Sequence, residues 1–111
     1  MTDASDRPEP FEVKLEQDGE RLVVVASGEL DLATADHLRA TVQQQFQSGF
    51  RDVVADLRQL SFIDSSGVRV LWEVHRSAED EGRRLSVVPG SGEVRRALQL
   101  TGFLDRLNVT D

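Results

Sequence analysis

The first apolar pattern along the chain is an alternation. Apolar and charged residues alternate from Phe11 to Leu15, and a period of two is typical of a β-strand with one buried face. An Asp18-Gly19 pair then leads into the apolar run 22–26. Such a pair between two strand-like runs predicts a β-hairpin with a type I′ turn, which has a positive φ at both central residues. Because run 22–26 is apolar on both faces, we expect it inside the sheet.

Three later stretches have the period of an amphipathic α-helix. They span residues 33–47, about residues 66–81, and a stretch for which Ser91 is the predicted N-cap. Gly49, Gly82 and Gly102 stand where each helix should end. The residues predicted to face the core are Ala35, Leu38, Val42 and Phe46 in the first helix, Gly67, Val70, Leu71, Val74 and Ala78 in the second, and Val94, Ala97, Leu98 and Thr101 in the third.

Strands are predicted between these helices. Residues 53–57 and 85–88 are apolar runs, residues 107–109 suggest a short final strand, and residues 58–64 are predicted to be a connection. This order favours right-handed crossovers and parallel pairing after the hairpin. The predicted fold class is α/β, a single domain with a mixed sheet of four to five strands, an opening β-hairpin, βαβ crossovers and helices packed on the sheet. We expect residues 1–10 to form a flexible tail and residues 11–111 to form the domain.

Composition narrows the function classes. A chain of 111 residues holds one domain. Its net charge of −7 and its scattered cations argue against nucleic acid and anionic membranes as partners. It has no Cys and two His, so no metal or organic cofactor is predicted. The polar, acidic start predicts no signal peptide, no apolar stretch is long enough to span a bilayer, and we expect a cytoplasmic protein.

Two segments follow strands that we expect to be neighbours. Residues 28–31 leave the second strand, and residues 60–67 leave the third. Functional groups in parallel sheets collect at the carboxyl ends of the strands. If the two strands pair, Asp31 and Ser65 lie on one rim of the sheet.

The sequence Asp64-Ser65-Ser66-Gly67 is the most informative local feature. Asp and Ser are preferred N-caps, and a capped helix is the simplest interpretation of this segment. Gly67 weakens a helix, so it predicts a close approach by a neighbouring chain or partner. A Ser at a helix N-terminus can also carry a phosphate, because the N–H groups and the helix dipole favour an anion there.

Residues 53–57 followed by residues 60–67 resemble the central signature of the STAS-domain family, and more closely the bacterial anti-sigma factor antagonists. Residues 28–31 and 100–107 are similar to the first βα turn and the C-terminal segment of that family, so the resemblance covers about residues 11–109. It implies that Ser65 is phosphorylated by a partner that is both serine kinase and anti-sigma factor. It also implies that Asp31, Asp64, Ser66 and Gly67 contact partners.

The implied protein is a switch rather than an enzyme. Its unmodified form would bind the anti-sigma factor and free a sigma factor, and phosphorylation at Ser65 would release the anti-sigma factor. A serine phosphatase is a further candidate partner. The alternative is a STAS-domain protein-binding subunit of a transport or stress-signalling complex with no sigma-factor role.

A serine hydrolase is disfavoured for two reasons. His75 is ten residues beyond Ser65, about 15 Å along the same helix, and cannot act as its base. Ile63 stands where a nucleophile elbow has its first Gly. His37 stays open as a base. Both His are predicted to be solvated, as are the pairs Arg83-Arg84 and Arg95-Arg96, whereas Trp72 is predicted to pack against a neighbouring element.

Overall fold

The computed structural model describes residues 10–110. Apart from Pro10, the predicted N-terminal tail therefore lies outside the described residues. Five strands form one mixed sheet: β1 (Glu12–Asp18), β2 (Arg21–Leu30), β3 (Asp52–Ile63), β4 (Arg84–Val88) and β5 (Asn108–Val109). Their order in the sheet is the same as in the chain, with β1 antiparallel to β2 and every other pair parallel. The predicted fold class is confirmed.

Three helices connect the parallel strands: α1 (Ala35–Gln47), α2 (Ser65–Asp80) and α3 (Glu93–Leu100). The predicted apolar stripes of α1 and α2 are buried throughout, whereas in α3 Val94 and Leu98 are buried, Ala97 is half-buried and Thr101 is exposed. The predicted cap Ser91 is wrong, because Gly92 precedes α3 and makes no side-chain cap hydrogen bond.

One face of the sheet carries the hydrophobic core. Val24, Ala55 and Val87 lie side by side in register and belong to the same buried cluster as the apolar residues of all three helices. Their sequence neighbours Val25, Asp56 and Val88 also lie in register, and they point to the opposite face because side chains alternate along a strand. The helices therefore pack on one face of the sheet.

The hairpin is confirmed, but its predicted turn type is wrong. Asp18 pairs with Arg21 as the last rung of the ladder, so the central turn residues are Gly19 and Glu20. Gly19 has a φ of +62°, and no residue other than glycine has a positive φ among residues 10–110. A positive φ at the first central position alone fits a type II′ turn, which takes Gly there.

The predicted connection over residues 58–64 is also wrong, because β3 continues to Ile63. β3 stays paired with β2 as far as Leu30, and the register of this pair shifts twice along its length. Such irregularities bend a strand and re-aim its side chains, which is why Leu60 and Ile63 are both buried although they are three residues apart. The long pair of strands brings the two predicted functional segments together.

Candidate functional site

The site begins where β2 and β3 end. The backbone N–H of Asp64 donates to the carbonyl oxygen of Leu30 at 3.1 Å. This bond ties the last residue of β2 to the residue just before α2, so Asp31 and Ser65 each lie one position from it on the same rim, as the sequence predicted.

Asp64 holds the first turn of α2 in place. Its Oδ1 accepts hydrogen bonds from the backbone N–H groups of Ser66, at 2.8 Å, and Gly67, at 3.1 Å. Asp64 is extended, with φ −109° and ψ −173°, which is the usual conformation of an N-cap. The predicted capping of this helix is confirmed; the cap is Asp64, and α2 begins at Ser65, one residue before the predicted start.

Ser65 is exposed, and its hydroxyl makes no hydrogen bond to any of residues 10–110. Ser66 is half-buried instead, and it lines a groove between α1 and α2. The two adjacent serines therefore differ in access: Ser65 is exposed, whereas Ser66 is partly enclosed by the two helices.

Gly67 is buried rather than presented at the surface. A Cβ at this position would lie 2.8 Å from Ile63 Cγ1 and 2.8 Å from Leu30 Cγ, which is closer than real Cβ atoms come to other atoms. The close approach that the sequence predicted is therefore made by side chains of β2 and β3. Gly67 lets α2 start directly against the ends of these strands.

Asp31 shapes the loop that leads into α1. Its Oδ1 accepts from the backbone N–H groups of Ala33, at 3.0 Å, and Thr34, at 3.2 Å. The Thr34 hydroxyl donates to the carbonyl oxygen of Glu29 at 2.8 Å, which closes the loop on itself. Asp31 is half-buried, so this carboxylate both braces the loop and contributes negative charge to the rim.

Two exposed apolar side chains that the sequence analysis did not single out lie close in sequence to the ends of β2 and β3. Leu32 is 80% exposed in the loop between β2 and α1, and Phe62 is 46% exposed near the end of β3. Exposed large apolar residues are informative where they gather at one place. Phe62 stands in the segment 60–67 that the sequence assigned to the rim, whereas Leu32 is one residue beyond the segment 28–31, so only Phe62 had a signal in the sequence.

An ion-pair network lies across the groove beside Ser66. Glu73 uses both carboxylate oxygens: Oε1 binds Arg69 Nε at 2.9 Å, and Oε2 binds Arg39 Nη2 at 2.8 Å. Arg39 comes from α1 and the other two residues come from α2. The network therefore bridges the two helices that form the groove.

The prediction of a solvated His75 is wrong. The ring is 4% exposed, its Nε2 lies 2.6 Å from Glu79 Oε1, and it stacks on Trp72 with the ring centroids 5.4 Å apart. Trp72 in turn packs against Phe103, as the sequence predicted. His37 is exposed as predicted, with its ring against Phe11. These contacts give His75 a packing role.

The arginine pairs are only partly solvated. Arg84 and Arg96 are exposed as predicted. Arg83 is half-buried, because its guanidinium donates to the carbonyl oxygens of Phe46 and Phe50 near the end of α1. Arg95 is also half-buried and donates to the carbonyl oxygen of Gly90 at 3.3 Å. The prediction of a solvated side chain was therefore wrong for Arg83 and Arg95.

Asp56 is buried on the face of the sheet that the helices leave open. Arg58 donates to it from Nε, at 3.0 Å to Oδ1, and from Nη2, at 2.7 Å to Oδ2. These charge-assisted bonds lower the pKa of Asp56 below its ordinary value, against the opposing effect of burial. Asp56 and Arg58 lie well before the end of β3 at Ile63, so the pair is away from the rim. It stabilises the sheet.

Within residues 10–110, no group of three or more His, Asp or Glu side chains is arranged to hold a metal ion. The helices of that part of the chain are also too short or too polar to cross a membrane.

Comparison with known proteins points to one family. The STAS domain sequence model matches residues 12–111. An anti-sigma-B factor antagonist of Staphylococcus aureus is 26% identical over 88 residues, which are 79% of this chain and 82% of that protein. An anti-sigma F factor antagonist of Paenibacillus polymyxa is 28% identical over 102 residues, covering 91% of this chain and 87% of the other.

The solved structures agree with the sequence matches. The unphosphorylated form of the anti-sigma factor antagonist SpoIIAA superposes with a TM-score of 0.73 at 26% identity, covering 90% of this chain and 89% of the other. The phosphorylated form of SpoIIAA from Bacillus superposes with a TM-score of 0.66 at the same identity, covering 90% and 92%. The sheet order and the helices described above are thus those of a known architecture.

Proposed function

Because the chain belongs to the STAS-domain family, we propose that it is an anti-sigma factor antagonist whose hold on its partner is released by phosphorylation at Ser65. The unmodified rim binds an anti-sigma factor that is also a serine kinase, which frees a sigma factor. A serine phosphatase restores the unmodified form. Since ATP and sigma factors are cytoplasmic, we place the exchange in the cytoplasm, and the protein itself catalyses no reaction.

The observation that carries this proposal is the exposed, unbonded hydroxyl of Ser65 at the start of α2. A kinase must bring the γ-phosphorus of ATP to this oxygen. The new Oγ–P bond forms as the bond between the γ-phosphorus and its bridging oxygen breaks, ADP leaves, and a base of the kinase takes the hydroxyl proton. Ser66 is a poorer acceptor because the groove partly encloses it.

The docking surface proposed here consists of Asp31, Leu32, Phe62, Asp64 and Ser66 around Ser65. Leu32 and Phe62 are exposed and would each supply apolar contact area to a partner. Gly67 contributes indirectly, because its missing side chain lets α2 begin against the strand ends. The carboxylates of Asp31 and Asp64 place negative charge on the surface.

Phosphorylation would change this surface by charge. A phosphoserine adds about −1.5 to −2 at neutral pH, next to Asp64 and Asp31 on a chain whose net charge is already −7. A charge that disfavours binding within a buried contact costs about 2–5 kcal/mol of binding free energy. Since 1.4 kcal/mol is a factor of ten, partner affinity would fall about 30-fold to a few thousandfold.

The test is incubation with a candidate anti-sigma kinase and ATP, followed by mass analysis of the peptides. We expect one phosphate on the peptide containing Ser65, none in Ser65→Ala, and normal labelling in the matched control Ser77→Ala, which changes an exposed serine further along α2 and outside the docking surface. Ser65→Ala should keep the partner bound in the presence of ATP. Ser65→Asp carries one charge and should weaken binding only in part. Labelling of Ser65→Ala would move the site, and a lack of transfer from every candidate kinase would favour a STAS subunit without a sigma-factor role.

A further inference from the structure

Arg69 stands four residues after Ser65 on α2. Residues at this spacing lie on the same helix face, with about 5–6 Å between their Cβ atoms. The Cα–Cβ bonds of a helix tilt toward its N-terminus, so the Arg69 side chain can extend over the turn that Ser65 begins. The Arg69 side chain is 79% exposed, which leaves its guanidinium room to move.

In the unmodified protein the Arg69 side chain is directed away from Ser65 and toward Glu73. Its Nε donates to Glu73 Oε1 at 2.9 Å. The second oxygen of Glu73, Oε2, is bound to Arg39 of α1 at 2.8 Å. Glu73 therefore keeps a cationic partner if Arg69 leaves, and the exchange does not strand a charge. A single exposed ion pair of this kind contributes little to stability, so a stronger anion could displace it.

We propose that Arg69 exchanges Glu73 for the phosphate when Ser65 is phosphorylated, while Arg39 retains Glu73. This inference rests on the proposed modification of Ser65. A phosphate carries more charge than a carboxylate and presents three acceptor oxygens, which the planar guanidinium matches with two parallel hydrogen bonds. Arg69 then sets how much of the phosphate charge remains exposed to a docking partner.

The surroundings of Ser65 support Arg69 as the responding group. The nearby charges on the other packed elements are Asp31 in the loop after β2, Asp36 at the start of α1, and Asp64 at the helix cap, all of which repel a phosphate. The groove between α1 and α2 is lined by two cations, Arg39 and Arg69. Arg39 is engaged across the groove with Glu73 and lies 3.7 Å from Asp36.

The experiment installs phosphoserine at position 65 during translation, so that no kinase is needed, and follows the ³¹P signal through a pH titration. An adjacent cation favours the dianion and lowers the second pKa of the phosphate. We expect that pKa to be about 0.2–0.7 units higher in Arg69→Gln than in the parent phosphoprotein. Arg96→Gln, which removes an exposed arginine from α3, is the matched control and should leave the value unchanged.

Glu73→Gln removes the competing carboxylate and should shift the same pKa downward, the opposite direction from Arg69→Gln. Both shifts should shrink at high salt, because the groups are exposed. Equal titrations of the parent and Arg69→Gln proteins, or an equal rise in Arg96→Gln, would overturn the role of Arg69. Failure of a kinase to label Ser65 would instead remove the proposed function, so the two failures are distinguishable.

Discussion

The rim has two sides that differ in what surrounds them. On the inner side, Gly67 is pressed against Leu30 and Ile63, with no space for even one methyl group. On the outer side, Leu32 and Ser65 are exposed to solvent. The two sides lie within one turn of the same helix start. The difference teaches that the tight inner packing fixes the position of the helix, whereas the outer side is left to meet partners.

Filling the inner side should have the largest effect on stability. In Gly67→Ala the new methyl group would overlap Leu30 and Ile63, and overpacking of a core costs about 1–3 kcal/mol of unfolding free energy. Urea unfolding monitored by Trp72 fluorescence measures this loss. The matched control is Gly92→Ala, where an added Cβ meets nothing within 4 Å. A Gly67→Ala protein as stable as the parent would show that the inner side is not tightly packed.

Trimming the outer side should affect binding instead. Leu32→Ala removes an exposed side chain, so we expect unfolding to change by less than about 0.5 kcal/mol. If Leu32 is an anchor of the docking surface, partner affinity should drop about 5- to 30-fold, as for a contact worth 1–2 kcal/mol. Calorimetry with the anti-sigma factor measures the affinity. Leu100→Ala, an exposed leucine on α3, is the control, and an equal loss there would contradict a surface centred on Ser65.

The face of the sheet away from the helices provides the smallest and most specific test. The pKa of Asp56 is lowered by Arg58 in the folded protein, so this pair stabilises the fold above the unfolded pKa of Asp56, near 3.8. That contribution is lost as the pH falls through the lowered folded value. Arg58→Gln should therefore be less stable than the parent at neutral pH.

Thermal unfolding of both proteins between pH 7 and pH 2 checks this dependence on pH. The two curves should converge at the acid end, where Asp56 is protonated with or without Arg58. A constant gap between them over the whole range would mean that Arg58 acts through packing and not through the charge of Asp56. Partner binding at neutral pH should be unchanged, because the pair lies away from the rim.

Much of the fold followed from periodicity. The apolar stripes of α1 and α2 were predicted residue by residue, because a helix with one buried face must repeat its apolar residues every three to four positions. That the helix start is capped followed from local chemistry, since Asp and Ser are preferred N-caps, and the structure shows that Asp64 is the cap, with its side chain bonded to N–H groups two and three residues away.

The errors have a common cause in contacts between distant segments. β3 was predicted to end before Arg58, at the end of its apolar run; pairing with β2 extends it to Ile63. His75 was predicted to be solvated, but Trp72 and the elements around it enclose the ring. Neither the register of a neighbouring strand nor the packing of a distant aromatic ring is visible in local sequence.

The amino-acid sequence by itself determined the order of strands and helices, the capped start of α2 and the candidacy of Ser65, because each depends on residues within a few positions of one another. Only the tertiary structure decided how far β2 and β3 stay paired, that Gly67 faces inward, and that Arg69 and Arg39 share Glu73 across two helices. Those facts depend on which strands pair and how closely a helix can approach them, and the whole folded chain sets both.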